Sequence, residues 1–145
     1  MKPHPYVRAY MAGIVVPTVF LLALMTLYVT LRFVVAPDQL AALFERPGGP
    51  LERVIVFPLA LVPNLWGAWN MLHVALRRRA HLPLGIHGAA LPLFLIPAGV
   101  ALARTLGAFD VPPASAIVLV PVAMAVYYLV WKHAVGFLNQ EMGIA

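Results

Sequence analysis

The chain has 145 residues, of which 63% are hydrophobic and only 10% are charged. Because a soluble domain carries about 25% charged residues, this composition excludes an ordinary water-soluble domain and predicts a membrane protein. The net charge of +5 does not indicate a nucleic-acid partner, since the dense basic cluster, Arg77 to Arg79, adjoins a hydrophobic segment and forms no basic face in water.

Four apolar segments are long enough to cross a bilayer as helices. They lie at about 12–32, 54–76, 84–107 and 114–138. The apolar region of the first is longer than that of a typical signal peptide, so we expect a membrane helix there. Prolines at positions 3 and 5 predict a non-helical start to the chain. Gly99, Ala103 and Gly107 recur every four residues and predict close helix packing along the third span.

The longest loop contains a further helix signal at 38–46. Asp38 is a helix-capping residue, and apolar residues follow it at positions three and four apart, on one face. This pattern predicts a short helix on the outer membrane surface. The predicted fold is therefore all-α: a single domain, 1–145, forming an integral membrane bundle of four transmembrane helices with an interfacial helix between the first and second.

Basic residues near the ends of the spans favour one orientation. Arg77, Arg78 and Arg79 form the short turn after the second span, on the same side as both termini. We expect this side to be cytoplasmic, in a prokaryotic cytoplasmic membrane. The three arginines and Lys132 would then contact the anionic headgroups of inner-leaflet lipids, at about 1 kcal/mol per basic residue.

Polar and aromatic residues recur at helical spacing in the second span. At 100° per residue, one face about 100° wide carries Trp66, Trp69, Asn70, His73 and Arg77. The fourth span has Tyr127, Tyr128 and Trp131 at matching offsets and similar depth. We expect the two faces to meet in the inner half of the bundle and to bind an amphipathic ligand, a lipid or a partner membrane subunit, a second copy included. Ordinary interhelical packing is the alternative explanation for these residues.

Two other functions stay open at this point. Proline in every span, with Asn70 and His73 at depth, is compatible with an oligomeric transporter or channel for small solutes. A His73–His87 pair on helices joined by a tight turn is compatible with haem or metal ligation.

The residues that the chain lacks weigh against an enzyme. It contains no cysteine, and no carboxylate lies within the spans, so thiolate chemistry and paired-carboxylate catalysis are not expected. Patterns such as HExxH, GxSxG and a glycine-rich phosphate loop are also missing from the sequence. We therefore expect a membrane protein without catalytic machinery, bound metal or cofactor.

Overall fold

The computed structural model describes residues 4–31, 34, 51–105 and 113–144, with the side chains of 51–60, 78, 80, 103 and 113–117 left out. Within these ranges the chain is 91% helical and has no strand, so the all-α prediction is confirmed. The predicted interfacial segment, 38–46, lies outside the described residues. The helices are α1 (Pro5–Thr30), α2 (Leu51–Ala80), α3 (Leu84–Ala89), α4 (Pro92–Thr105), α5 (Pro113–Val130) and α6 (Gly136–Glu141).

Three stretches of the described chain are long and apolar enough to cross a membrane. They are Pro5–Thr30, Leu84–Leu102 and Val118–Glu141. They coincide with the first, third and fourth predicted spans and support a membrane protein.

The first helix begins earlier than the sequence predicts. The expectation that proline keeps the start of the chain non-helical is wrong at Pro5, which is the first residue of α1. Proline fits this position because the first helical N–H has no intrahelical partner to lose. The His4 side chain caps the helix by accepting a hydrogen bond from the Tyr6 N–H at 3.4 Å.

The third predicted span consists of two helices. α3 ends at Ala89 and α4 begins at Pro92. The residues between them form a tighter turn, in which the Leu91 N–H donates to the Gly88 carbonyl, three residues earlier, at 3.0 Å. Pro92 has no N–H with which to continue the helical ladder, which explains the break.

Glycines bring two helix backbones into contact, but not where the sequence predicts it. A Cβ on Gly13 of α1 would lie 2.6 Å from the Trp66 carbonyl oxygen and 2.8 Å from the Cα of Gly67, so the α1 and α2 backbones touch through these two glycines. Gly99, by contrast, has nothing within 4 Å of the position that a Cβ would occupy. The predicted packing along the Gly99 stripe is therefore wrong at that residue.

A π-helical turn, Trp131–Val135, joins α5 to α6. A π-turn inserts one extra residue and rotates the next helical segment by roughly 100° relative to a straight α-helix. Trp131 itself packs directly against Gly88 of α3, where no Cβ would fit. The turn therefore lets a large indole fill the space beside α3 and changes which residues of α6 face inwards.

The buried apolar residues form two clusters. One lies around Trp66, Leu91, Trp131 and Val135, where α2, the turn between α3 and α4, and the π-turn meet. The other joins α1, α2 and the residues after α6, through Ala9, Ala12, Val74 and Ile144. Much of the remaining apolar surface faces outwards, including Phe20, Phe94 and Val118, each more than 60% exposed. Such a surface suits contact with lipid.

Candidate functional site

The polar and aromatic face of α2 is divided among several neighbours. A face 100° wide is broad enough to touch more than one helix, and α2 has partners on several sides. Trp66 contacts α5 and the π-turn, Trp69 and His73 contact α3, and Asn70 and Arg77 contact α1 and the chain around α6. The residues predicted as one site thus belong to three adjacent sets of contacts.

The first set is an aromatic cluster, defined here as Trp66, Tyr127 and Trp131. The ring centroids of Trp66 and Tyr127 are 4.9 Å apart, and those of Trp66 and Trp131 are 5.4 Å apart. These side chains come from the second and fourth predicted spans, so the two predicted faces touch at Trp66. Both tryptophans are buried, with 5% of Trp66 and 0% of Trp131 exposed.

The indole N–H of Trp131 is buried and has no hydrogen-bond partner among the described residues. The Trp66 N–H is also buried and makes no hydrogen bond of normal geometry with a described residue. Trp66 does, however, lie beside the Tyr127 phenol and interact with it. A buried polar group without a partner costs about 1–3 kcal/mol in proteins. The Trp131 N–H is therefore a donor available to an acceptor within the aromatic cluster.

The second set fastens α3 to α2 through Trp69 and His87. The Trp69 indole N–H donates to the His87 carbonyl at 2.8 Å, and His87 Nε2 lies 3.0 Å from the Trp69 carbonyl oxygen. The two rings also stack, with centroids 4.9 Å apart. Trp69 is therefore held by bonds that stabilise the helix pair.

His73 lies next to this pair, with its ring centroid 5.0 Å from that of His87. Two imidazoles bound on opposite sides of one haem iron would have centroids about 6 Å apart, given metal–nitrogen bonds of about 2 Å. The two rings would have to separate to serve a haem in that way. The described residues contain no group of three or more histidine, aspartate or glutamate side chains placed to hold a metal ion.

The third set begins with a pair of buried amides. Asn70, which is fully buried, donates from Nδ2 to the Ala9 carbonyl at 2.8 Å and to Asn139 Oδ1 at 2.8 Å. Asn139 Nδ2 returns a bond of 3.2 Å to Asn70 Oδ1. One asparagine on α2 therefore connects α1, α2 and α6.

Two arginines bind the segment that follows α6. Arg8 donates to the carbonyls of Met142, at 2.6 Å, and Gly143, at 3.2 Å. Arg77 donates to the carbonyl of Ile144, whose side chain is 3% exposed. The starting end of α1, the far end of α2 and this segment thus lie together at one end of the molecule.

The remaining predicted residues lie near the molecular surface. Tyr128 packs against Gly85 of α3, and the Lys132 ammonium lies 5.7 Å from the centroid of the Tyr128 ring, within cation–π range. Arg79 is exposed, and the side chain of Arg78 is not described. Contact of these basic residues with lipid headgroups stays a prediction.

The sequence gives weak signals for Asn139 and Arg8, neither of which is among the predicted site residues. On a straight α-helix Asn139 would lie about 80° round from Trp131, and the rotation at the π-turn brings it back towards α2. The sequence does indicate where α6 ends, because glycine commonly stops a helix and Gly143 lies at this position. In the structure Gly143 has φ of 62°, and the Ile144 N–H donates to the Asn139 carbonyl at 2.8 Å, which is the geometry of a Schellman motif. Such a stop implies that α6 extends past Asn139.

No protein-family model, curated protein or solved structure matches this chain. The geometry of its own residues is therefore the basis for assigning a function.

Proposed function

We propose that the chain is an integral membrane protein that binds an amphipathic molecule at the aromatic cluster, between the second and fourth predicted spans. The observation that carries this proposal is the buried N–H of Trp131, for which the described part of the chain offers no acceptor. In hydrocarbon no bulk water can satisfy such a donor. A carbonyl or ester oxygen of a ligand would satisfy it.

One side of the cluster is open to a ligand. Tyr127 is only partly buried and lies at the edge of the cluster. A ligand would enter past Tyr127 and place its acceptor at the Trp131 N–H.

The topology that we propose has four spans. α2 contains the charge-free stretch 54–76, and its 30 residues extend roughly 45 Å as a helix, more than a bilayer core requires. With α2 as a span beside the three membrane-length stretches, both ends of the chain fall on one side. The contacts of Arg8 with Met142 and Gly143 support this arrangement. The arginine triplet favours the cytoplasm of a prokaryotic cell for that side.

The test of ligand binding is native mass spectrometry of the protein released from nanodiscs. Trp131→Phe removes the N–H and keeps an aromatic ring. We expect the occupancy of the co-purified small molecule to fall roughly tenfold, because one buried hydrogen bond is lost.

The control is Leu91→Ala. Leu91 is 2% exposed and packs in the buried apolar group that also contains Trp66 and Trp131. This variant loosens packing but leaves the N–H, so the bound molecule should be retained. Unchanged occupancy in Trp131→Phe, or equal loss in both variants, would contradict the proposal. Capture of another membrane protein in place of a small molecule would also contradict it and favour the partner-subunit alternative.

The transporter and haem alternatives stay predictions. The described residues provide no observation that favours either of them over ligand binding.

A further inference from the structure

A cavity of about 250 Å³ lies between the first residues of α1 and the last turns of α2. Its lining consists of His4, Pro5, Tyr6, Val74, Ala75 and Arg77. The aromatic cluster has no residue in this lining, so the cavity is a separate site. We propose that it binds the phosphate group of an anionic amphiphile through Arg77.

The charges of the lining favour an anion. Arg77 contributes a guanidinium and His4 contributes an imidazole, and none of the described residues that line the cavity has a carboxylate. A guanidinium has five N–H donors in a planar fork that matches two oxygens of a phosphate. Phosphate esters are therefore the ligand class that this cavity recognises.

Arg77 is already held in place at the cavity. One of its terminal nitrogens donates to the Ile144 carbonyl. This bond uses one part of the fork, and the guanidinium has further donors for a ligand. The buried Ile144 side chain packs in the same cluster as Val74, which also lines the cavity. A side chain fixed in advance loses less conformational entropy when it binds.

The size and position of the cavity indicate a headgroup. Pockets that enclose a drug-sized molecule measure about 300–1,000 Å³, so a cavity of about 250 Å³ has room for a headgroup but not for its acyl chains. Tyr6, which lines the cavity, is 41% exposed, so the cavity opens to the surface of the protein beside α1. The geometry thus fits a phosphodiester in the cavity with hydrocarbon chains outside it.

The experiment uses the full chain in nanodiscs that contain phosphatidylglycerol and phosphatidylcholine, with retained lipid counted by native mass spectrometry. We expect the wild type to retain phosphatidylglycerol preferentially. Arg77→Gln should reduce this retention about tenfold or more, as expected for loss of a charged hydrogen bond. The matched control is Arg79→Gln, which removes the same charge from an exposed residue of the same helix outside the cavity lining.

A second variant keeps Arg77 and its bond to Ile144. Ala75 is exposed and lines the cavity, so Ala75→Phe should fill the space and reduce retention as Arg77→Gln does. Equal losses in Arg77→Gln and Arg79→Gln would overturn the proposal, because they would show general surface attraction. Full retention in Ala75→Phe would overturn it as well.

Competition with soluble glycerol phosphate identifies the source of the phosphate. If phosphatidylglycerol stays bound when millimolar glycerol phosphate is added, the site is that of a lipid headgroup. Displacement, with glycerol phosphate bound in its place, supports the same site with a free phosphate ester as its ligand. Absence of preferential binding by either compound would overturn the proposal.

Discussion

The Asn70–Asn139 pair shows how much one buried residue can organise. Asn70 is fully buried and bonds to both Asn139 and the Ala9 carbonyl. A buried amide is costly unless it is paired, and losing one partner leaves the other unsatisfied. The same residue that the sequence marks as a candidate ligand contact therefore has a clear structural role.

Replacing both amides should destabilise the protein by less than the sum of the two single replacements. We expect Asn139→Leu to lower the free energy of unfolding in detergent by about 1–3 kcal/mol, because Asn70 loses its partner. In a double-mutant cycle with Asn70→Leu, the coupling energy should be about 0.6–1.7 kcal/mol. Denaturant unfolding measures these values. Gln140→Leu, at the exposed neighbouring position, should change stability by less than about 0.5 kcal/mol, and an equal loss there would contradict a specific role for the pair.

At the scale of the helices, the sequence predicts the features that depend on residue composition, but not those that depend on local backbone geometry. The helical class and the apolar stretches follow from residue content alone. Two departures arise from backbone geometry: the break before Pro92 and the π-turn at Trp131–Val135. The π-turn begins at Trp131, which packs against Gly88, a contact between distant parts of the chain that no local pattern encodes.

The same limit applies to the candidate site. The sequence correctly predicts that Trp66 and the Tyr127–Trp131 region meet, because helical spacing and depth are sufficient for that prediction. It does not predict that Trp69 and Asn70, adjacent in the chain, turn to different neighbours. That division depends on the position of α3 and α6 around α2, which is set by packing across the whole molecule.

The glycine contact between α1 and α2 predicts a difference between two glycines. Gly13→Ala should destabilise the protein by about 1–3 kcal/mol, because the new methyl group would lie 2.6 Å from the Trp66 carbonyl oxygen. Gly99→Ala, with nothing within 4 Å of its Cβ position, should be neutral or stabilise by up to about 1 kcal/mol through helix propensity. Thermal unfolding in detergent provides the comparison. Equal effects at the two positions would contradict the packing described for α1 and α2.

At the scale of the whole molecule, one end gathers most of the polar contacts. Arg8, Arg77 and the carbonyls of Met142, Gly143 and Ile144 meet there, beside the cavity lined by His4 and Tyr6. The aromatic cluster lies farther along α2, at Trp66. In the four-span bundle that we propose, this end of the molecule faces the cytoplasm.

Cysteine labelling tests that orientation directly, because the chain contains no cysteine. Ala80→Cys places a single thiol next to the arginine triplet. A membrane-impermeant maleimide is then added to the outside of intact cells. We predict no labelling until the cells are opened, followed by full labelling of the exposed inner side. Labelling of intact cells would place the arginine end outside and contradict both the proposed topology and the contact of the arginine triplet with inner-leaflet lipids.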